Sequence, residues 1–423
     1  MSTSLHFDTV IAGGRVIDPA NGIDGIRDVA ITGGRIALVA SDLPPHTASR
    51  VVDASGLVVT PGLVDLHAHL FWGRDYFGID ADSIAWRSGV TTWVDSGSTG
   101  AFSFPAFRRF IVDQAEVSIF AFINISYLGI PGLNYDEYFN PAACDVPLLA
   151  RVVAENRDLI IGIKVRIGKG GVCYTGLRPL RQAVAAAEIT GLPIMCHISD
   201  TPPSVERVLA LLRPGDIVTH AFTGAGERLI DQDGRVRRAA WRAKEAGVLF
   251  DIGHGAGSFS FTSAEALLGQ GFLPDIISTD LHQISLPGPH LLEDQEVMPR
   301  ISGDGSPHLT LLTVMTKFLA LGMSLPEIIR ATTVAPMDAI GRSRAGGTLT
   351  PGAAADVAIL RVVDAPVELV DIERNRRVGE CSLQAAHTFI AGRELPPRPM
   401  PPAVPWIRLV DHEPGAGDGE MRP

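Results

Sequence analysis

The sequence predicts an α/β protein, a (β/α)8 TIM barrel with a small β-sandwich module formed from both chain ends. Three observations predict it. Eight short apolar runs alternate with helix-like segments through the middle of the chain. Several of those runs end in His, Asp or Lys, although a buried parallel strand should be almost continuously apolar. Val- and Ile-rich stretches broken by glycine turns occupy both ends. The 423 residues suit one barrel, which takes roughly 250 residues, together with one small module. The boundaries this suggests are 1–60 plus 345–395 for the composite β-module, 61–344 for the barrel and 396–423 for a tail.

In chain order, FDTVIAGGRVID (7–18), DVAITGGRIALVA (28–40), RVVDASG (50–56) and LVVT (57–60) read as the N-terminal strands. ADVAILRVV (355–363) and HTFIAGREL (387–395) return the pattern near the other end. Gly14-Arg15, Gly34-Arg35 and Gly392-Arg393 echo one another across the gap, as turns of one module would. The barrel runs are GLVDLHAHL (62–70), TTWVDSGS (91–98), VSIFAFINIS (117–126), IIGIKVRI (160–167), PIMCHIS (193–199), DIVTHAF (216–222), GVLFDIGHG (247–255) and DIISTDLH (275–282). Helices are expected over 177–191, 202–215, 308–322 and, as two short pieces, 324–341. The long stretch 286–307 after the eighth run has the length of a lid or specificity loop. Six prolines within 396–405 and the closing EPGAGDGEMRP read as an extended or disordered arm.

Composition excludes several functions. A net charge of −11 with no run of Lys or Arg gives no footprint for nucleic acid. Cys144, Cys173, Cys196 and Cys381 show no CxxC spacing, which argues against a disulfide framework or a cysteine zinc site. No stretch is apolar enough for a membrane span, and the start of the chain does not read as a signal peptide. The expectation is a cytoplasmic protein.

The chemistry lies at the run ends, where barrel enzymes build their sites. His67 and His69 stand two apart, so both imidazoles face one side of a strand and can share a divalent cation. An isolated pair of this kind is more often two ordinary strand-end histidines. This pair is accompanied by His197 on the fifth run, His220 on the sixth, Asp280 on the eighth and Lys164 on the fourth. Strand ends around one barrel converge on one mouth. Lys164 also reads as a barrel lysine paired with an acid, while Lys169 sits among glycines and looks like a loop residue.

HAH on the first run, Lys on the fourth, His on the fifth and sixth and Asp on the eighth resemble the amidohydrolase superfamily. GIKVR (162–166), CHISD (196–200), THAFTG (219–224), FDIGHG (250–255) and STDLH (278–282) are similar to its amidohydrolase/deacetylase group, which is related to dihydroorotases. The resemblance implies two divalent metal ions, with Zn2+ favoured by the ligand types, and a CO2-derived carboxylation of Lys164 that bridges them. It places His67, His69 and Asp280 on the more buried ion and His197 and His220 on the other. Asp280 would be the catalytic acid–base group, working with a hydroxide that bridges the ions. The implied activity is removal of an acyl, acetyl-like group from a small carboxylated amide or ester. Ring opening of a cyclic amide, as in dihydroorotases and hydantoinases, is the alternative, and a non-catalytic barrel acting in assembly or binding is a third. The expected partner is a small-molecule acyl substrate, and a homo-oligomer is compatible with this type of barrel.

Other residues carry two readings. Arg166 faces the same way as Lys164 and can grip a substrate carboxylate or belong to a barrel salt bridge. His254, in GHG, is a candidate substrate contact by its strand-end position. His282 shares a side with Asp280 and can touch substrate or support a ligand. Cys196 should face the helices as core. Phe71 and Trp72 can line a pocket or pack a loop, and SGSTG (96–100) can bring backbone N–H groups to a ligand.

Overall fold

A computed structural model describes residues 6–44, 47–74, 77–131, 137–138, 140–168, 176–198, 202–285 and 309–399. Lys169, Cys173, the 286–307 stretch and residues 400–423 lie outside these. The chain opens with β1 (Phe7–Asp18), β2 (Ile23–Thr32), β3 (Arg35–Ala40), β4 (Ala48–Asp53) and β5 (Val58–Pro61). The barrel strands follow: β6 (Leu63–Ala68), β7 (Val90–Ser96), β8 (Ser118–Asn124), β9 (Ile160–Ile167), β10 (Ile194–Ile198), β11 (Ile217–Thr219) and β12 (Leu249–Phe250). The chain returns through β13 (Val357–Val363), β14 (Val367–Val370), β15 (Arg376–Gly379), β16 (Ser382–Ile390) and β17 (Arg393–Glu394).

The two ends build one mixed sheet in the order β17–β16–β13–β5–β1–β2–β3, with β4 paired to β1. Its core holds Ile11, Val29, Val59, Ile359 and Phe389. The expected single run 28–40 is two strands, because Gly33 and Gly34 take φ of 58° and 72° and fold the chain back. The glycine echo also has a physical basis. A Cβ on Gly34 would lie 2.9 Å from the Ala391 carbonyl oxygen, and one on Gly392 would lie 2.8 Å from Ile31 Cγ2. The two turns rest against each other and need glycine for the approach. The hairpin of β14 and β15 is an addition that the sequence pattern did not show.

β6 to β12 form a parallel curled sheet in strict chain order. The eighth run forms no named strand, yet it closes the barrel. It bridges Asp251 to Ile276 on one side and Ala68 to Leu281 on the other. His254 N donates to Ser278 O at 3.2 Å and His69 N to Leu281 O at 2.9 Å across those seams. Val64, Leu66, Val94, Phe122, Met195 and Ile217 form one buried cluster with Met337 and Ile340. A larger apolar layer lies between strands and helices, and Cys196 belongs to it as expected.

The helices match their periodicity at Arg178–Thr190, Leu311–Ala320, Leu325–Ala331 and Val334–Ala339, while the segment 202–215 yields only Val205–Leu209. The start of the expected arm is held to the body. Arg398 pairs with Glu116, and its carbonyl accepts from Trp86 Nε1 at 3.2 Å. Among the described residues no helix is long and apolar enough to cross a membrane.

Candidate metal centre

His67, His69, Lys164, His197, His220 and Asp280 come together at the C-terminal rim of the barrel. Asp280 is the hub. Its Oδ1 lies 3.2 Å from His67 Nε2 and 3.1 Å from His69 Nε2, and its Oδ2 lies 3.9 Å from His220 Nε2. Among the described residues, one ligand atom from each of His67, His69 and Asp280 falls within 4.8 Å of the others. Lys164 Nζ is 3.1 Å from His67 Nε2. His197 meets His220 edge to face, with ring centroids 4.3 Å apart. His220 and Asp280 have φ of 65° and 48°. A left-handed conformation away from glycine costs about 1–3 kcal/mol and collects at functional sites.

The ring nitrogens divide their labour. His67 Nδ1 lies 2.8 Å from Thr219 Oγ1, His69 Nδ1 2.9 Å from Ser98 Oγ and His220 Nδ1 2.6 Å from Gly253 O. Each Nδ1 is committed to the protein, and each Nε2 turns to Asp280. Metal-binding histidines are oriented in this way. Thr219, Ser98 and Gly253 were not singled out from the sequence. Ser98 lies in the SGSTG run, whose side-chain role was hidden, and Thr219 directly precedes a strand-end histidine.

Burial favours the neutral imidazole. It lowers His69 to about 3, with Asp280 opposing, and His220 to about 4. Burial works to raise the Asp280 carboxyl, but His67, His69 and His220 outweigh it and hold it well below the usual range. His67 goes the other way: burial and Lys164 work to lower it, but Asp280 and Asp251 outweigh them and raise it. Neutral His69 and His220 beside the Asp280 carboxylate, with a His67 that can give up its Nε2 proton to a metal, make a donor set that fits a divalent cation of the Zn2+ type. Lys164 is buried, and its Nζ contacts His67 Nε2 and Met195 Sδ at 3.1 and 3.5 Å. Gly97 makes room for it, since a Cβ there would lie 2.6 Å from Lys164 Cβ and Cγ.

The weaker candidates are arranged differently. Arg166 pairs with the buried Glu137 at 3.3 Å, which is the salt-bridge reading of this residue. His254 lies beside the centre but has both nitrogens engaged, with Nδ1 2.9 Å from Gly255 O and Nε2 2.8 Å from Lys317 Nζ. His282 stacks on Phe77 with ring centroids 4.3 Å apart, and Phe77 also meets His69 at 4.5 Å. Phe71 is buried against Phe107, so it packs, while Trp72 is partly exposed.

A parallel barrel with a buried His/His/Asp cluster at its C-terminal rim defines a metal-dependent barrel enzyme. The chain matches no family model. A deacetylase from Agrobacterium fabrum is 33% identical over 377 residues, covering 87% of this chain and 88% of the relative. Among solved structures, an adenine deaminase aligns with a TM-score of 0.80 at 30% identity, covering 92% of this chain and 99% of that one. A dihydroorotase aligns with a TM-score of 0.80 at 29% identity, covering 91% and 98%. The chain belongs to the amidohydrolase superfamily, related to deacetylases and to dihydroorotase- and hydantoinase-like enzymes.

Proposed function

We propose that the protein hydrolyses an acyl, acetyl-like group from a small carboxylated amide or ester. The observation that carries this reading is the similarity to a deacetylase along most of both chains. On this reading the centre would take two divalent ions, Zn2+ by ligand type, with a carboxylated Lys164 as a shared ligand. Bound ions of this kind activate water and polarise a carbonyl. A carbamate on Lys164 exchanges a cation for a two-oxygen anionic ligand, in a place where an ammonium would compete for His67 Nε2. His67 and His69 would share one ion with Asp280, and His197 and His220 would hold the other.

Asp280 takes the proton of the attacking water on a carboxylate oxygen and returns it to the leaving group. Its neighbours support the first half of that role by keeping the carboxyl ionised at neutral pH. A substrate carboxylate would have to draw Arg166 away from Glu137, so substrate contacts by Arg166, His254 and His282 rest on position alone. Ring opening of a cyclic amide is the second reading, favoured by the likeness to a dihydroorotase. Both reactions pass through a tetrahedral oxyanion, so the same donor set serves either.

A substrate panel decides between them. N-acetyl amino acids and O-acetyl hydroxy acids should turn over in zinc-loaded protein, and cyclic ureides should not. Turnover confined to the cyclic set overturns the first reading. Purified protein that takes up well under one equivalent of divalent metal in zinc-supplemented medium overturns both.

A further inference from the structure

We propose that Thr219 and Asp251 are positioning residues that fix His67 in the one tautomer able to offer Nε2 to a cation. The inference rests on His67 being a metal ligand. His67 Nδ1 lies 2.8 Å from Thr219 Oγ1, and the Thr219 hydroxyl donates to Asp251 Oδ2 at 2.7 Å. The other Asp251 oxygen, Oδ1, accepts from the Ser278 hydroxyl at 2.6 Å. Ser278 Oγ in turn accepts the Gly253 N–H at 3.0 Å, so its own proton is free for Asp251. All these groups are buried.

The direction of the chain follows from counting protons. A hydroxyl has one proton to give. Thr219 gives its proton to Asp251, so toward His67 its oxygen can only accept. The proton that His67 keeps therefore sits on Nδ1, and Nε2, 3.2 Å from Asp280 Oδ1, is the nitrogen left for a cation. The carboxylate of Asp251, two hydrogen bonds from the ring, sets the tautomer through the threonine, and its Oδ2 also lies 3.5 Å from His67 Nδ1, a further reason for the proton to stay there.

The same node reaches the second side of the centre. Gly253 O accepts from His220 Nδ1 at 2.6 Å, which leaves His220 Nε2 free as well. Gly253 also makes space for the relay, since a Cβ there would lie 2.2 Å from Thr219 Oγ1. Supporting partners of this kind are worth roughly 10–100-fold in metal affinity.

The test uses the full-length metal-free protein and cobalt(II), with affinity read by competition against a chromophoric chelator. Thr219→Ser keeps the hydroxyl and should bind within about threefold of the parent, with the same cobalt absorption bands. Thr219→Val keeps the shape but not the hydroxyl, and should bind roughly 10–100-fold more weakly. Asp251→Asn should weaken binding too, because its amide can donate to Thr219 and reverse the chain, pushing the His67 proton onto Nε2. If Asp251→Asn does not fold, Thr219→Val against Thr219→Ser carries the test alone. Equal affinity in those two variants overturns the positioning role while leaving the metal reading intact. A parent protein that binds no cobalt overturns the metal reading, and the positioning role falls with it.

Discussion

Asp65 and Thr279 stitch the first barrel strand to the segment that closes the barrel. Asp65 Oδ1 accepts the Thr279 N–H at 3.0 Å, and Oδ2 accepts the Thr279 hydroxyl at 2.6 Å. Asp65 stands two residues before His67 and Thr279 directly before Asp280, so the pair sets how closely His67 and Asp280 approach. The segment of Thr279 has no regular ladder, and this seam takes the place of one. Burial pushes the Asp65 carboxyl up to about 7, with Thr279 opposing, and Thr279→Val leaves one of its buried oxygens without its partner, a loss of about 1–3 kcal/mol. Denaturant unfolding of the metal-free variant should show that loss, and Thr279→Ser should recover most of it. Equal stability for all three proteins would mean the seam is not held by this hydroxyl.

Asp280→Asn keeps an oxygen toward His67 and His69 but loses the base. It should retain metal, measured by elemental analysis, while kcat falls roughly 10²–10⁴-fold, the usual span for a general acid–base group. Near-normal turnover removes Asp280 from proton transfer.

Much of this was legible in the sequence because period-2 strands and run ends leave a plain signal. His67, His69, His197, His220 and Asp280 stood at or near the ends of apolar runs and Lys164 within the fourth, and they meet at one rim. Less legible were the groups behind them. Thr219 and Ser98 are ordinary in a strand or a turn, and their value depends on which ring nitrogen lies opposite. Arg166 and His254 looked the same as site residues from the strand pattern. Their partners, Glu137 and Lys317, lie 29 and 63 residues away in sequence, a distance that local patterning cannot bridge. The eighth strand was visible as an apolar run, although its positive-φ Asp280 and bridging geometry break the regular ladder.

Lys164→Met tests the proposed bridging role of Lys164. Methionine keeps the apolar stem and cannot be carboxylated. The variant should hold at most one equivalent of divalent metal where the parent, on the proposed two-metal reading, should hold two, by elemental analysis after dialysis. Two tightly held equivalents in Lys164→Met would show that the lysine does not bridge.

Gly253→Ala should damage the centre without replacing any ligand. The residue has φ of 47°, and the new methyl would meet Thr219 Oγ1 at 2.2 Å and His67 Nδ1 at 3.0 Å. Gly257→Ala is the matched control, since its Cβ would meet nothing within 4 Å. Cobalt affinity should fall at least tenfold in the first, by the magnitude typical of disturbed ligand support, and stay unchanged in the second. Equal affinities would mean that the loop gives way freely.

Lys317 should make stability depend on pH. It is fully buried, and its Nζ donates to Val370 O at 2.6 Å and lies 2.8 Å from His254 Nε2. Burial pushes the amine down to about 7 from its ordinary 10.5, with Asp371 opposing. A neutral amine still has protons for both contacts, so folding tolerates its loss of charge. Between about pH 7 and the ordinary value the unfolded chain holds the proton and the folded one releases it. The Lys317 contribution to unfolding free energy therefore rises with pH across that window, by at most about 1.4 kcal/mol per pH unit. It is flat below pH 7, where both states are charged. Lys317→Met lacks the group, so the difference between parent and variant, from denaturant unfolding of the metal-free proteins, should grow in the parent's favour from pH 7 to pH 10. A difference that stays constant over that range would show that Lys317 keeps an ordinary affinity for its proton despite its burial.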